Sequence, residues 1–367
     1  MKNEKLSGHK LIVFVGAGAS AGLGMPTTFQ FIELLKQHWG QSDFKTILDA
    51  YNKFSNSKNA GGLNRSQPIV DSEYLRDWFL ELRRSAESIQ VLPQIKSNVV
   101  MTKATRPQTA VLFIDSILAD FDSFTRSVYQ DVIPEKAYQH YVPLLKGLSS
   151  KNINAIPIFT TNYDLVFESM QDCTKCSWNI ETGMKKTGRR VVLDTKLYDQ
   201  VGSNPKILLY KLHGSTDWWM NKESGEIQQI PLDHKAPENC RDLLIYPTRE
   251  KFEQMKEKPF SFYYDRLKTD LSSEAIRMCI AIGYSFRDKF INNMFLEALK
   301  KGLRLVVFDK SIKQRQLLNE FETGEVANSN VSGNIHIHNI DFGNWQRESS
   351  KFSQILNEEI SMTLPNP

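Results

Sequence analysis

The chain has 367 residues, of which 41% are apolar, and its 46 Lys and Arg residues against 42 Asp and Glu residues give a formal net charge of +4. This length and apolar content can bury a substantial core, which excludes general disorder. The charge is too small to favour nucleic acid as the main ligand. The densest basic clump fits a solvated hairpin or loop better than an anion site: Lys185, Lys186, Arg189 and Arg190.

Three features of the sequence indicate a cytoplasmic protein. The chain contains no run of about 18 apolar residues, which argues against a membrane span. Mostly polar residues fill the first ten positions, so we expect no secretory signal. The cysteines are few and fit a reducing compartment: Cys173, Cys176, Cys240 and Cys279.

The first structural signal in the chain is the stretch LIVFVGAGASAGLGMP. Its apolar run, Leu11 to Val15, predicts a buried parallel strand. Gly16, Gly18 and Gly22 then permit a tight turn whose backbone amides can form an anion nest for phosphate. The alternative is that these glycines only supply positive φ angles. A helix is predicted next from apolar residues at helical spacing: Phe29, Ile32, Leu35 and Trp39.

More than a hundred residues with helical periodicity separate this strand from the next apolar run. We interpret them as a helical insertion that covers the site, with a mobile loop from Ser55 to Gln67. Two groups of residues carry the helical pattern: Tyr74, Leu75, Trp78, Phe79 and Leu82, and further on Val111, Phe113, Ile114 and Ile117.

Short apolar runs, each followed by polar residues or glycine, predict the remaining strands. Together they favour an α/β fold with a mostly parallel sheet, helices on both faces and smaller turn-rich or β insertions. The run Ile335 to Ile340 alternates more and predicts an edge strand. The other runs are Ile156 to Phe159, Ile207 to Leu212, Leu243 to Tyr246, Met278 to Ile282 and Leu305 to Phe308.

The predicted organisation is a discontinuous core interrupted by insertions. The core comprises residues 8–40, 151–172, 205–220 and 270–345. The helical insertion is 41–150, the two small insertions are 173–204 and 221–269, and a C-terminal helix and tail occupy 346–367.

Three polar stretches follow predicted strands: FTTNYD from Phe159, KLHGSTDWW from Lys211, and AIGYSFRDKFIN from Ala281. Because parallel strands present their carboxyl ends at one edge of a sheet, side chains from these stretches should converge there. The candidates are Asn162, Asp164, His213, Ser285 and Asp288.

Four motifs, in this order, resemble the sirtuin fold: Gly16-Ala17-Gly18-Ala19-Ser20, Thr161-Asn162-Tyr163-Asp164, His213-Gly214 and Gly283-Tyr284-Ser285. The resemblance covers about half of the chain and is closest to bacterial sirtuin-like NAD hydrolases of antiphage defence. It implies a Rossmann-like fold of the sirtuin type and NAD as the substrate.

The resemblance also implies a role for each motif. Asn162 would position the nicotinamide ribose and the attacking water, Asp164 would contact the carboxamide, and His213 would be the catalytic base. The cofactor-binding set would be Gly16, Ala17, Gly18, Ser20, Thr161, Gly283, Ser285 and Asp309, with the first four at the NAD diphosphate and Asp309 at the adenosine ribose.

These residue types suit cleavage of the bond between nicotinamide and ribose. The cationic leaving group departs without a general acid, so an imidazole that takes a proton and an amide that fixes the geometry are enough, without a metal. Each residue also has a structural alternative. His213 could be satisfied by backbone, Asn162 could cap a helix at Tyr163, and Asp164 could serve its first turn. Ser285 and Asp288 could instead form an apparent capping box before the helix Lys289 to Leu299. Asp309 could simply end a strand.

Departures from the sirtuin pattern bear on the activity. Protein-deacylating sirtuins hold a structural zinc with two cysteine pairs, whereas only Cys173 and Cys176 form such a pair here. Thr161 replaces the family's glutamine, and Thr27 and Thr28 stand where deacylases carry Asp-Phe-Arg. A dehydrogenase is disfavoured because no second strand ending in an acidic residue follows the glycine loop at about 20 residues.

The sequence therefore predicts a cytoplasmic, metal-independent NAD hydrolase that releases nicotinamide and ADP-ribose, or a cyclised form of it, and would deplete the cofactor. The resemblance also implies an oligomer and a separate HerA-type ATPase partner. An NAD-dependent protein deacylase and a non-catalytic subunit that binds NAD or ADP-ribose remain alternatives.

Overall fold

The structure is a computed structural model that describes residues 10–58, 72–91, 107–129, 132–149, 153, 155–200, 205–231, 234, 236–246, 251–314, 317, 321 and 329–364. The chain divides into two compact units. The first comprises Met1–Met25, Tyr129–Ile245 and Glu253–Pro367, and the second comprises Pro26–Val128 and Tyr246–Phe252. Among the described residues, no helix has the length and apolar character needed to cross a bilayer.

The strands, in chain order, are β1 Leu11–Val15, β2 Ala155–Thr160, β3 Asn179–Glu181, β4 Met184–Thr187, β5 Arg190–Leu193, β6 Lys206–Lys211, β7 Gly214–Asn221, β8 Ile227–Gln229, β9 Cys240–Leu244, β10 Met278–Ile282, β11 Arg304–Phe308 and β12 Ile335–His338. The α-helices are α1 Thr28–Trp39, α2 Gln41–Lys58, α3 Ser72–Val91, α4 Pro107–Val128, α5 Pro134–Ser149, α6 Val166–Ser169, α7 Lys251–Lys256, α8 Phe260–Ser272, α9 Lys289–Lys300, α10 Ser329–Gly333 and α11 Trp345–Thr363.

Seven strands of the first unit form one sheet in the order β12-β11-β10-β1-β2-β6-β3, and every neighbouring pair in it is parallel. This confirms the predicted mostly parallel sheet, with β12 at its edge as predicted. The chain moves from β1 to β2 and β6 on one side, then returns to β10 on the other. The order of the strands therefore reverses beside β1, where open α/β sheets bind their ligands.

Both faces of this sheet are covered. On β1, Phe14 belongs to one hydrophobic cluster together with Phe295 of α9, whereas Val13 belongs to a second cluster together with Leu144 of α5 and Leu356 of α11. All five β1 residues are buried, because side chains alternate between two covered faces. The prediction of helices on both faces is thus confirmed.

A second sheet of the first unit is antiparallel, in the order β4-β5-β8-β7-β9. It contains the β structure expected in the small insertions, and it corrects one prediction. The run Leu243–Tyr246 was predicted among the parallel strands, but β9 pairs with β7 in the antiparallel sheet. Its apolar character comes from burial, which both kinds of strand share, so composition could not separate them.

The second unit contains the predicted helices α1 to α4. Arg76 of α3 forms two hydrogen bonds with Asp122 of α4, at 3.0 and 3.1 Å, and its guanidinium lies 3.8 Å from the ring centroid of Tyr246. The apolar face of α4 differs from the prediction, since Ile114 is buried whereas Phe113 is 64% exposed. The buried core of the unit includes Phe31, Trp78, Phe79, Leu118 and Phe121.

The loop predicted from Ser55 to Gln67 lies only partly within the described residues. Residues 55–58 belong to the end of α2, so the prediction of a loop there is wrong. Residues 59–67 lie outside the described residues.

Candidate functional site

The candidate site lies at the carboxyl edge of the seven-stranded sheet, where the predicted motifs follow β1, β2, β6 and β10. These strands are neighbours in the order β10-β1-β2-β6. Consecutive parallel strands therefore bring the four segments to one edge, although they are remote in sequence.

The glycine loop after β1 packs directly on the loop after β10. The Gly16 amide donates to the Ile282 carbonyl and the Gly18 amide donates to the Gly283 carbonyl, both at 2.9 Å. A Cβ atom on Gly16 would lie 2.6 Å from the Gly283 oxygen and from the Tyr284 Cα. Gly16 and Gly18 are not in the left-handed region, so the close approach of two backbones, rather than positive φ, requires glycine here.

This packing changes how the loop can act on a ligand. A 3₁₀ helix, Ala17–Leu23, follows the turn directly, and α1 begins only at Thr28. The Gly16, Gly18 and Ala19 amides already donate to carbonyls of the protein. The later amides of the 3₁₀ helix donate within the helix, so an anion nest depends on the Ala17 amide and on the Ser20 hydroxyl.

Asn162 lies against the glycine loop and is 7% exposed. Its Nδ2 donates to the Gly16 carbonyl at 3.2 Å and to Ser20 Oγ at 3.3 Å. Its own amide donates to Thr160 Oγ1 at 3.0 Å, which fixes the start of the loop after β2. The buried Oδ1 atom has no hydrogen-bond partner among the described residues. An unpaired buried acceptor costs about 1–3 kcal/mol, so it marks a position where a donor is expected.

Asp164 is buried two residues further on and uses Oδ1 to accept the Val166 amide at 3.2 Å. It serves the first turn of α6, as the structural alternative proposed. The pKa of the Tyr129 phenol is raised, mainly by burial and in addition by the negative charge of Asp164. Capping and contact with a ligand use different oxygens of one carboxylate, so they do not exclude each other.

His213 follows β6 and is 6% exposed. Its Nε2 lies 3.7 Å from Asp288 Oδ2, a distance suited to electrostatic attraction rather than a hydrogen bond. Its ring centroid is 6.4 Å from that of Tyr163, the residue after Asn162. Gly214 then adopts φ 84°, and a Cβ atom there would overlap the Leu243 carbonyl oxygen, so only glycine can follow the histidine.

The loop after β10 contains two left-handed residues, Gly283 at φ 58° and Phe286 at φ 53°. A left-handed phenylalanine is strained, and here the Asn292 amide holds it by donating to the Phe286 carbonyl at 2.6 Å. Asp288 caps α9 by accepting the amides of Phe290 and Ile291. This corrects the expected capping box, because Asp288 itself is the N-cap and the exposed Ser285 is not.

Asp309 ends β11 and forms a local turn. Its Oδ1 accepts the Ser311 amide at 2.8 Å, the Ser311 hydroxyl at 3.0 Å and the Ile312 amide at 3.1 Å. Thr161 donates its amide to the Val15 carbonyl at 3.3 Å. Contacts thus join Asn162 to the glycine loop and His213 to Asp288 and Tyr163. The Asp309 side chain bonds within its own turn, and its backbone pairs with His338 and Ile340.

Two groups near the site were not predicted. His140 of α5 is buried, and its Nε2–H donates to the Ala19 carbonyl at 2.7 Å; burial lowers its pKa to about 4. Tyr264 of α8 is buried, and burial, Asp288 and Tyr163, in that order, raise its pKa. Both residues come from helices whose sequence shows only apolar periodicity, so no local motif marks them.

Cys173, Cys176, Cys240 and Cys279 are all free. Burial raises the pKa of the Cys279 thiol, which suits a core residue. Over the described parts of the chain, no group of three or more His, Cys, Asp or Glu side chains is arranged to hold a metal ion.

Comparison with known proteins gives one family match. Residues 157–323 match the model of a SIR2-like domain, under half of the chain. The matched part includes Asn162, His213 and Gly283 but not the glycine loop. It supports a sirtuin-like family for this region. None of the curated proteins matches the chain.

Solved structures with which the chain can be superimposed include three Sir2 proteins. A Sir2 homologue in complex with NAD is 13% identical, with 99% of this chain and 95% of that chain covered and a TM-score of 0.46. A Sir2 homologue mutant in complex with ADP-ribose is 12% identical, with 99% of each chain covered and a TM-score of 0.44. A Sir2 bound to an acetylated peptide is 11% identical, with 95% and 92% covered and a TM-score of 0.38.

Proposed function

We propose that this protein is a sirtuin-like NAD⁺ hydrolase that cleaves the bond between nicotinamide and ribose. One observation carries the proposal. Asn162 is buried against the glycine loop, where its Nδ2 donates to Gly16 and Ser20 while its Oδ1 has no hydrogen-bond partner among the described residues. An amide fixed in this way can accept a hydrogen bond from a ribose hydroxyl or from water and so determine the position of the reacting carbon.

The proposed reaction consumes one water. The bond from C1′ of the ribose to the nicotinamide nitrogen breaks, its electron pair goes to the leaving group, and nicotinamide departs neutral. Water adds to C1′ and loses a proton to His213, which gives ADP-ribose. The carboxylate of Asp288, 3.7 Å from His213 Nε2, stabilises the imidazolium that forms.

The other predicted residues complete the proposed NAD site. The segment from Gly16 to Ser20 and Thr161 would hold the diphosphate side, Asp164 the carboxamide, Gly283 and Ser285 a ribose or phosphate, and Asp309 the adenosine ribose. Asp309 would use its Oδ2 for this contact, since three donors already share its Oδ1.

We further propose that the enzyme works in the cytoplasm as an antiphage effector that depletes NAD⁺ when activated, as an oligomer with a HerA-type ATPase. Co-purification of the chain from cells that contain such an ATPase tests the partner. Recovery of the chain alone would contradict the partnership without affecting the proposed reaction.

The first experiment is chromatography of purified protein incubated with NAD⁺ and no peptide. We expect nicotinamide and ADP-ribose to appear together and to fall by about 10²–10⁴-fold in His213→Ala, the usual contribution of a general base. Asn162→Ala should lose a comparable amount because the orienting amide is gone. His336→Ala is the matched control, since His336 lies 3.3 Å from a carboxylate, that of Glu359, at another part of the sheet.

Other outcomes separate the alternatives. Full turnover in His213→Ala would overturn the assignment. Nicotinamide release that requires an acyl-lysine peptide would identify a deacylase. Binding of NAD⁺ or ADP-ribose without turnover, also in the presence of the candidate ATPase, would identify a binding subunit.

A further inference from the structure

Lys211, the last residue of β6, carries a buried ammonium group with four acceptors. The side chain is 1% exposed. Its Nζ donates to Glu168 Oε1 and Ser215 Oγ at 2.9 Å each, to the Tyr163 carbonyl at 3.3 Å and to the Asp164 carbonyl. An ammonium has three protons, so this group is fully used inside the protein.

Three of the four acceptors belong to the two segments that carry the candidate catalytic residues, and the fourth, Glu168, lies on α6. Tyr163 and Asp164 follow Asn162 in the loop after β2. Ser215 lies two residues after His213, and Lys211 itself lies two residues before it. One ammonium therefore joins the backbone beside Asn162 to both sides of His213.

A second set of bonds reinforces this junction. The Tyr163 carbonyl also accepts the Thr216 amide at 3.1 Å and the Thr216 hydroxyl at 3.3 Å. Tyr163 in turn donates its hydroxyl to the Ile245 carbonyl at 2.8 Å. The Tyr163 carbonyl is thus a point at which the two segments meet, and Lys211 donates to it from a charged group.

The charge on Lys211 is balanced locally. Burial raises the pKa of Glu168, the ammonium of Lys211 opposes that rise, and Asp217 adds to it. A buried ion pair of this kind gives little net stability compared with a well-packed apolar group, because both ions lose their hydration. The contribution of the pair is instead geometric, because its four directional hydrogen bonds restrict how the two segments can be arranged.

We propose that Lys211 is a positioning residue that holds Asn162 and His213 in register at the carboxyl edge. It acts through the Tyr163 and Asp164 carbonyls and through Ser215, and it does not contact the substrate. The catalytic consequence rests on the proposed NAD⁺ hydrolase function, whereas the structural consequence does not.

Lys206, at the other end of β6, provides a matched control. It is also buried, its Nζ donates to the Leu197 carbonyl at 3.1 Å and the Gln200 carbonyl at 3.2 Å, and it pairs with Glu181 at 3.4 Å. The two lysines thus share their residue type, strand and kind of acceptor, but only Lys211 contacts the segments of the site.

The experiment compares Lys211→Met with Lys206→Met by two readouts. The first is amide hydrogen exchange without ligand. We expect Lys211→Met to accelerate exchange in peptides covering residues 161–166 and 213–216 by about tenfold or more, and Lys206→Met to leave those peptides within about twofold of the wild type. Equal exchange in the two variants would overturn the positioning role.

The second readout is the kinetics of nicotinamide release. We expect kcat of Lys211→Met to fall by about 10²-fold, the cost of a small misplacement of reacting groups, with KM within about threefold. Lys206→Met should keep its kcat. An unchanged kcat in Lys211→Met would overturn the proposal, whereas a wild type without turnover would refute only the hydrolase function and leave the exchange result valid.

Milder variants cover the case in which Lys211→Met does not fold. Ser215→Ala removes one of the four acceptors, and Glu168→Gln removes the carboxylate charge and keeps an acceptor. Each should accelerate exchange in residues 161–166 by about two- to fivefold. Wild-type exchange in both would count against the proposal.

Discussion

The two ends of β6 use the same chemistry for different purposes. At the amino end, Lys206 fixes the carbonyls of Leu197 and Gln200. At the carboxyl end, Lys211 fixes those of Tyr163 and Asp164. The amino end holds a turn that carries no candidate site residue, while the carboxyl end lies next to Asn162, whose Oδ1 is open. The role of each buried lysine therefore follows from the segments that it holds in place, because the chemistry at the two ends is the same.

The largest effect is expected from closing the space between the two loops at the carboxyl end. Gly16→Ala would bring a Cβ atom within 2.6 Å of the backbone at Gly283 and Tyr284. We expect the free energy of unfolding to fall by about 3 kcal/mol, as for an overpacked core, and NAD⁺ turnover to be lost. Urea unfolding and the nicotinamide assay measure the two effects.

Gly333→Ala is the control for that variant. A Cβ atom there would have no neighbour within 4 Å, and the residue lies in α10. Its stability should stay within about 0.5 kcal/mol of the wild type or rise slightly. Similar losses of stability in Gly16→Ala and Gly333→Ala would mean that the close contact between the two loops is not the cause of the effect.

The next largest effect is a difference in acid sensitivity between the glycine loop at the carboxyl edge and the carboxylate of Glu359 on α11. Burial lowers the pKa of His140, which supports the glycine loop, to about 4, below its ordinary value of 6.5. Its stabilising contribution is complete above pH 6.5 and decreases as the pH falls towards 4, by about 2 kcal/mol at pH 5. On α11, burial raises the pKa of Glu359, but hydrogen bonds from His338 of β12 and Arg304 of β11 outweigh this and lower it. That carboxylate therefore stays ionised at pH 5.

Hydrogen exchange at pH 5 and pH 7.5, corrected for the intrinsic pH dependence of exchange, tests this difference. Protection of residues 16–23 should decrease at pH 5 while protection of α11 near Glu359 persists. His140→Gln should remove the pH dependence from the glycine loop. Loss of protection in both regions together would contradict the assignment.

The smallest effect is expected from a single neutral hydrogen bond at Asn162. Ser20→Ala removes the 3.3 Å bond to Asn162 Nδ2 and leaves the bond to the Gly16 carbonyl. We expect a loss of about 1 kcal/mol in stability and less than tenfold in turnover. Ser169→Ala removes one bond, to the Val166 carbonyl, and should leave turnover unchanged. A larger effect on turnover from Ser169→Ala than from Ser20→Ala would contradict this role of the Ser20 hydroxyl.

Much of the parallel sheet was predictable from the sequence because its strands are buried on both faces and read as continuous apolar runs. Leu11–Val15 and Met278–Ile282 have this character over their full length. The order of the motifs along the chain then places their ends at one edge, because parallel strands share direction. The run Leu243–Tyr246 shows the limit, since pairing direction leaves no trace in composition.

The contacts that assemble the site were less predictable. Lys211 and His140 act through backbone carbonyls, and any residue can present a carbonyl, so no motif marks the partner. The glycines of the turn were interpreted through a ligand or through φ, whereas their immediate reason is a neighbouring backbone. Such contacts depend on the separation of segments distant in sequence, which periodicity does not encode.

The contact between Gly18 and Gly283 also has a consequence during translation. The two glycines are separated by more than 250 residues, and β1 has β10 as a direct neighbour in the sheet. A nascent chain that has already produced Asn162 and His213 still lacks the surface on which the glycine loop rests. Contacts of such long range form late in folding. Chains truncated before Met278, where β10 begins, would therefore contain the chemical groups of the proposed hydrolase without the means to use them, and unfinished synthesis would not drain the cofactor pool of the cell.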